Sequence, residues 1–361
     1  MKQRLFLAAL AIGALILLRG EPAAQELNYQ IFGRYLEPLA QQIGMPGLSA
    51  VIVHNNIPVW DKGYGFADVE AKRPADRDTP YPIGGVSQAV TGVLAGICVD
   101  RHLLAVDEPI RTYVPAFPND ARVRHLLAHA SEGRFVYDPA RFAQLTTVLD
   151  RCMGQPFRAS LASEILTRLI MTRSVPGLDM RDNAAARALF DTTRLARYDD
   201  VLRDIAVPYR IRAGRYSRTE YAPSSVDAAT GIIATAYDLA KFEGSLDDTE
   251  AIKDNIPIDS STLATLWTRQ TFDRQNFAGE TESYTTPTGL GWFVQTASGV
   301  PLVWTYGYIP DTASALIVKM PTKHLTMILL SNSDGLAAGF NFERGDVTTS
   351  PFVKVFLRLF I

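Results

Sequence analysis

The order of hydrophobic patterns along the chain is its strongest constraint. Strand-type segments lie at both ends and helix-type segments lie between them. Early in the chain, LSAVIVHNNIPVWDKGYGFADV reads as two strands around the turn His54–Asn55–Asn56. In the last third, GLGWFVQ, VPLVWTYGY, ASALIVKM and LTMILLSNS are spaced by turn residues, as in an antiparallel meander. Between them, SQAVTGVLAGICVDRHL, VRHLLAHAS, ARFAQLTTVLDRCM and ASLASEILTRLI carry helical spacing. Two further helices are predicted outside the middle: NYQIFGRYLEPLAQQIG, which ends at a glycine stop, and the amphipathic SPFVKVFLRLFI. Strands far apart in sequence must then share one sheet. The predicted class is α/β, an antiparallel sheet flanked by helices plus an inserted helical domain. Residues 25–84 and 236–361 form the α/β part and residues 85–235 the helical part, with a cleft between the two. Within the helical part, residues 176–226 read as long loops.

The N-terminal segment has a separate role. Lys2 and Arg4 precede an apolar run from Leu5 to Leu18, followed by EPAAQ. A bilayer span needs about 20 apolar residues. The run therefore reads as a secretory signal over residues 1–24, cleaved after Ala24. Pro22 fits such a cleavage site poorly, so an uncleaved anchor is the alternative, and it is the only membrane contact expected. Export to a periplasm or the extracellular space follows. Cys98 and Cys152 each sit in an apolar helical pattern and are expected as two buried thiols, pairing being the alternative that export permits. A formal charge of −2 argues against a nucleic-acid partner, whose phosphates require a basic surface. His125 and His129 stand four apart on a predicted helix, but no glutamate lies between them and no third ligand is apparent. They read as structural. No metal site, cofactor motif, Gly-x-Ser-x-Gly elbow or Cys-x-x-Cys pair is found.

Four stretches occur in order: GMPGLSAVIVHNNIPVWDKGYGFADVEAKRPADRDTPYPIGG, VRHLLAHAS, ATGIIATAYDLAKF and LTMILLSNSDG. On these the chain resembles the class C β-lactamase and penicillin-binding-protein family, with its esterase relatives, over nearly the whole mature length. The resemblance implies a β-lactamase/transpeptidase-like fold with its active site in the cleft. It also implies three motifs. The first is Ser-x-x-Lys at a helix start, where the amine prepares the hydroxyl for attack. The matching residues are Gly85-Val86-Ser87-Gln88, so the nucleophile position has no side chain and the lysine position holds a neutral amide. The second is Tyr-x-Asn, matched by Tyr137-Asp138-Pro139. Tyr137 is kept and Pro139 supplies no donor. Locally, Asp138 suits a helix cap and Pro139 the first helical position. The third is Lys or His, any residue, then Gly, matched by Thr305-Tyr306-Gly307. Gly307 is expected to let a ligand lie close to its strand.

Other groups compete for the nucleophile's role. Ser87 lies two residues after Gly85, about 200° round a helix, and is expected to face away. Tyr137 needs its pKa lowered from about 10, and the motif cations are absent. Trp304, Tyr306 and Tyr308 fall on the strand face opposite Thr305 and Gly307, which predicts core packing. The expected protein has kept a hydrolase scaffold and lost its acyl-transfer groups. It binds a ligand or an envelope protein, and the resemblance implies a peptidoglycan-like or β-lactam-like small molecule. The alternatives are a hydrolase using Ser87 or Tyr137, and a structural envelope protein.

Overall fold

The computed structural model describes residues 25–247, 258–275 and 280–361. The predicted secretory signal lies outside the described residues. The strands are β1 (Gly47–His54), β2 (Ile57–Asp68), β3 (Arg73–Pro74), β4 (Tyr81–Pro82), β5 (Val175–Pro176), β6 (Tyr209–Arg212), β7 (Arg215–Arg218) and β8 (Ile232–Ala234), then β9 (Thr271–Gln275), β10 (Thr281–Thr285), β11 (Phe293–Ala297), β12 (Val300–Ile309), β13 (Ala313–Met320) and β14 (Leu325–Ser331). Seven of them form the main sheet, in the order β11-β12-β13-β14-β1-β2-β3. Its named pairs are antiparallel, and the two ends of the chain join where β1 pairs with β14, Leu48 opposite Ser331.

The central strands are buried on both faces, which explains their nearly continuous apolar runs. On one face Leu48, Ala50 and Ile52 of β1 join Leu316 and Val318 of β13 beneath the first helix, α1 (residues 25–43), and the C-terminal helix Pro351–Phe360. On the other, Val51, Val53, Ala315, Ile317, Ile328 and Leu330 pack under α2 (Ser87–Asp100) and the helix Ala236–Gly244. Twelve of the 14 residues of α2 are buried, so this helix runs through the interior instead of lying on the surface. The β1–β2 connection is the predicted tight turn, with Asn55 and Asn56 both in the left-handed region (φ 49° and 68°).

Three expectations need correction. Cys98 and Cys152 are not free thiols. They form a disulfide joining α2 to α5 (Leu145–Met153), and each position packs into or against the core cluster around α2. Burial predicted from pattern does not reveal that two distant apolar helices cross at their cysteines. Second, His125 and His129 do not share a helix. Helix α3 (Val123–Leu127) stops two residues before His129, which sits in the left-handed region at φ 53°.

Third, residues 176–226 are more regular than loops. They hold the helix Thr192–Arg203, the β6–β7 ribbon and a core of their own around Tyr198, and they border the small sheet β4-β8-β5. Arg158 fastens this region. Its guanidinium donates to both carboxylate oxygens of Asp179 at 2.9 and 2.7 Å, to the Pro176 carbonyl and to Ser225 Oγ. With Arg158 only 8% exposed, losing one partner of this bidentate pair costs about 3–5 kcal/mol.

Candidate functional site

The chain enters the site at Gly84–Val86, a single 3₁₀ turn leading into α2. Gly84 takes φ 52°, and a Cβ there would stand 3.1 Å from Gly307 Cα. The fit is reciprocal, since a Cβ on Gly307 would lie 2.0 Å from the Ile83 carbonyl oxygen. Gly307 therefore brings its strand against the chain's own turn. The surface expected to receive a ligand there is occupied by backbone. The contact is possible because β11 pairs with β12 only as far as Trp304, opposite Phe293, leaving the far end of β12 open to the turn.

Gly85 is the next residue. A Cβ built on it would meet the Tyr137 hydroxyl and the Tyr306 carbonyl oxygen, each at 2.7 Å. The phenol of Tyr137 thus reaches the space that a nucleophile's side chain would take. Tyr137 is wedged among Phe293 and Tyr306 (ring centroids 5.9 and 5.4 Å away), and burial pushes its hydroxyl up to about 12. This is the wrong direction for a nucleophile or a base near neutral pH.

A chain of hydrogen bonds holds the phenol. The Asp138 backbone N–H donates to His129 Nδ1 at 3.1 Å. Nδ1 is therefore the acceptor, and in the neutral ring Nε2 carries the proton. Nε2–H donates to Gln88 Oε1 at 2.9 Å, and Gln88 Nε2 donates to the Tyr137 hydroxyl at 3.2 Å. Burial lowers His129 to about 3, so the ring stays neutral. The amide suits both ends, accepting from the imidazole and donating to the phenol. A lysine at position 88 has three donors and no acceptor, and would face the N–H of His129.

The remaining predicted residues fall as follows. Pro139 opens the short helix α4 (Pro139–Phe142), and Asp138 Oδ1 accepts from the Arg141 N–H at 3.0 Å, as the local capping argument expected. Thr305 is 3% exposed on the α2 face of the sheet. Trp304 and Tyr306 pack into the opposite core, as strand alternation predicted, while Tyr308 is 41% exposed at the strand's end. Ser87 is fully buried, and its hydroxyl accepts from the Ile232 N–H at 3.4 Å, so it lies away from Gly85. The structural role expected for His129 takes a definite form: it is the middle of the site's hydrogen-bond chain. No motif announces this role, because its partners Gln88 and Asp138 lie 41 and 9 residues away.

Beyond the end of β12 the surface opens into a groove of about 510 Å³. Pro82, Leu178, Tyr221, Ile233 and Ile309 give it apolar walls, and Thr219 and Thr230 bring hydroxyls. Among the described residues no cluster of three or more metal-ligating side chains occurs.

The chain matches the beta-lactamase family over residues 32–346. A beta-lactamase of Escherichia coli (strain K12) is 29% identical over 115 residues, which are 31% of this chain and 30% of that protein. The putative penicillin-binding protein PbpX of Bacillus subtilis (strain 168) is 21% identical over 291 residues, 72% of this chain and 64% of its own. The match to the Escherichia coli protein thus spans less than a third of its length. Among solved structures, a penicillin-binding protein homologue from Pyrococcus abyssi superposes with a TM-score of 0.68 at 20% identity, covering 85% of this chain and 74% of that one. A class C beta lactamase from Rhodobacter sphaeroides gives 0.66 at 15% identity, covering 91% and 99%. With a family match that takes in the turn, the helix and the strand just described, this chain is a member of the beta-lactamase family.

Proposed function

We propose that the protein is a catalytically degenerate member of its family, exported from the cell, that holds a ligand or protein partner without covalent chemistry. One observation carries this reading: the Tyr137 hydroxyl lies 2.7 Å from where the missing Cβ of Gly85 would be, fixed there by the neutral chain through Gln88 and His129. Acyl transfer needs a nucleophile and a group to take its proton. Position 85 has no side-chain atom to acylate, and the side chains in the hydrogen-bond chain beside it, Tyr137, Gln88 and His129, are neutral. In a well-studied unrelated serine hydrolase, loss of the nucleophile alone costs on the order of 10⁶ in turnover. Binding survives such losses because it needs only a shaped surface. The 510 Å³ groove with its apolar walls supports that part of the reading. A peptidoglycan-like or β-lactam-like ligand is the class that family membership favours. The disulfide supports export, since such bonds persist in oxidising compartments.

The test is incubation of the purified protein with a fluorescent penicillin beside an active relative. The expected result is strong covalent labelling of the relative and none of this chain, with any binding reversible on dilution. Stoichiometric labelling mapped to a groove residue would overturn the proposal. So would turnover of a chromogenic β-lactam or short-chain ester that Tyr137→Phe abolishes.

A further inference from the structure

We propose that the outer layer formed by α1 and the C-terminal helix Pro351–Phe360 rests on an anionic lipid surface. This is separate from what the groove binds. A surface helix needs one apolar side, and α1 has two. Tyr29, Phe32, Leu36 and Ala40 face the core. Leu27, Ile31 and Tyr35 fall roughly 160–240° round the helix from that side, in a row spaced by four residues. Leu27 and Tyr35 are 56% and 52% exposed, and Ile31 is half-buried. Core packing does not account for this second row.

The C-terminal helix runs antiparallel beside α1. Asn28 Nδ2 donates to the Leu359 carbonyl at 3.1 Å, and one turn on, the Phe32 ring lies 5.8 Å from that of Phe356. Phe352, Val353, Phe356 and Phe360 point inward. Lys354 and Arg358 stand exposed on the other side, and the helix has no acid. Ile361, just beyond it, is 43% exposed. Arg34 adds a third basic group on the outward side of α1.

The acids of α1 are kept apart from this layer. Glu37 lies towards Tyr64 of β2, whose hydroxyl its charge helps to raise, and Glu26 is on the same flank. That flank is turned away from the C-terminal helix, which meets α1 at Asn28 and Phe32. Lys354 acts on Asp346. Arg34 and Arg358 make no ion pair or side-chain hydrogen bond among the described residues. The layer therefore sets an apolar row beside basic groups, the pattern of a helix lying in a headgroup boundary. Among the described residues no helix is long and apolar enough to cross a membrane.

The sequence supplies the link to lipid. The apolar run Leu5–Leu18 is separated from α1 by only the six residues 19–24. Even fully extended, that link spans roughly 25 Å. While the run is in a bilayer, α1 begins within that distance of it, and Leu27 opens the outward row. The protein as a whole has a charge of −2, so attraction to an anionic surface must come from this face. Each Lys or Arg close to such a surface changes binding about fivefold.

The experiment uses the full chain reconstituted with vesicles of equal parts phosphatidylcholine and phosphatidylglycerol that carry a spin-labelled lipid as quencher. A fluorophore is placed on Tyr35→Cys or, as control, on Arg134→Cys in the helical part. Cys98 and Cys152 are joined to each other, so the new thiol alone is labelled. The expected result is strong quenching at position 35 and little at position 134. In pure phosphatidylcholine the quenching at 35 should fall. Arg358→Ala should lower the ratio of docked to undocked protein about fivefold, with an unchanged urea midpoint to show that the fold is intact. Equal quenching at the two positions, as a bare tether would give, overturns the proposal. So does quenching at 35 that ignores lipid charge or Arg358→Ala, or no quenching at all.

Discussion

The family site and the β6–β7 ribbon resolve the problem of polar groups in opposite ways. At the site, the Asp138 backbone N–H, His129, Gln88 and Tyr137 form a chain of donors and acceptors, with burial holding His129 and Tyr137 uncharged. In the ribbon, charged groups stand exposed with like facing like, Arg212 directly opposite Arg215. A buried network is costly unless every member is partnered. An exposed face tolerates repulsion because water and salt screen it. The site therefore has the character of settled structure, and the ribbon that of a solvated charged surface.

The largest expected effect tests the settled site. Gln88→Lys sets an ammonium against the His129 N–H at a position 4% exposed, and should cost about 3–5 kcal/mol in urea unfolding. The double change Gly85→Ser with Gln88→Lys restores the first family motif but should give no more than trace β-lactam turnover. A serine at position 85 must first displace the Tyr137 phenol, and Pro139 and Thr305 remain as they are. A stable, active double variant would break the comparison.

Acid comes next. His129 has its folded pKa lowered from 6.5 to about 3, so the unfolded chain takes up the proton first. Its contribution is complete above 6.5 and is lost as pH falls towards 3. The buried Glu243, raised from 4.5 to about 7 by burial despite Lys319 beside it, acts in the other direction: its folded form holds the proton more tightly, so stability falls as pH rises from 4.5 to 7. Unfolding curves across this range should lose the acid-side slope in His129→Gln and the opposing slope in Glu243→Gln. If His129→Gln leaves the acid slope unchanged, the neutral-chain account is wrong.

Smaller still, Gly85→Ala should destabilise by about 1–3 kcal/mol through overpacking against the Tyr306 carbonyl, a backbone atom that cannot rotate away. Gly85→Ala combined with Tyr137→Phe should recover only the part due to the phenol. The smallest change belongs to the ribbon: Arg215→Glu should add about 0.5 kcal/mol, read as a rise in urea midpoint.

The two regions also differed in how far they could be read from sequence. The missing serine and lysine were visible as letters in YPIGGVSQ, and the Asp138–Pro139 helix start followed from local capping chemistry. The ribbon was hidden, because YRIRAGRYSR carries only a weak apolar alternation and its arginines were diluted in a near-neutral total. The disulfide was missed for a different reason: cysteines 54 residues apart meet only when α2 and α5 cross.

What the sequence determined by itself was whatever depends on neighbours along the chain. Strand alternation sent Trp304 and Tyr306 one way and Thr305 and Gly307 the other, the paired asparagines made the β1–β2 turn, and the glycine and glutamine removed the attacking groups. Only tertiary structure decided what replaced those groups. That Tyr137 fills the space beside Gly85, and that His129 presents its Nε2 proton to Gln88, depends on contacts 41 to 52 residues apart. Periodicity along a strand or helix fixes which face a side chain takes, but the hydrogen-bond partner it meets there is supplied by a different segment of the fold.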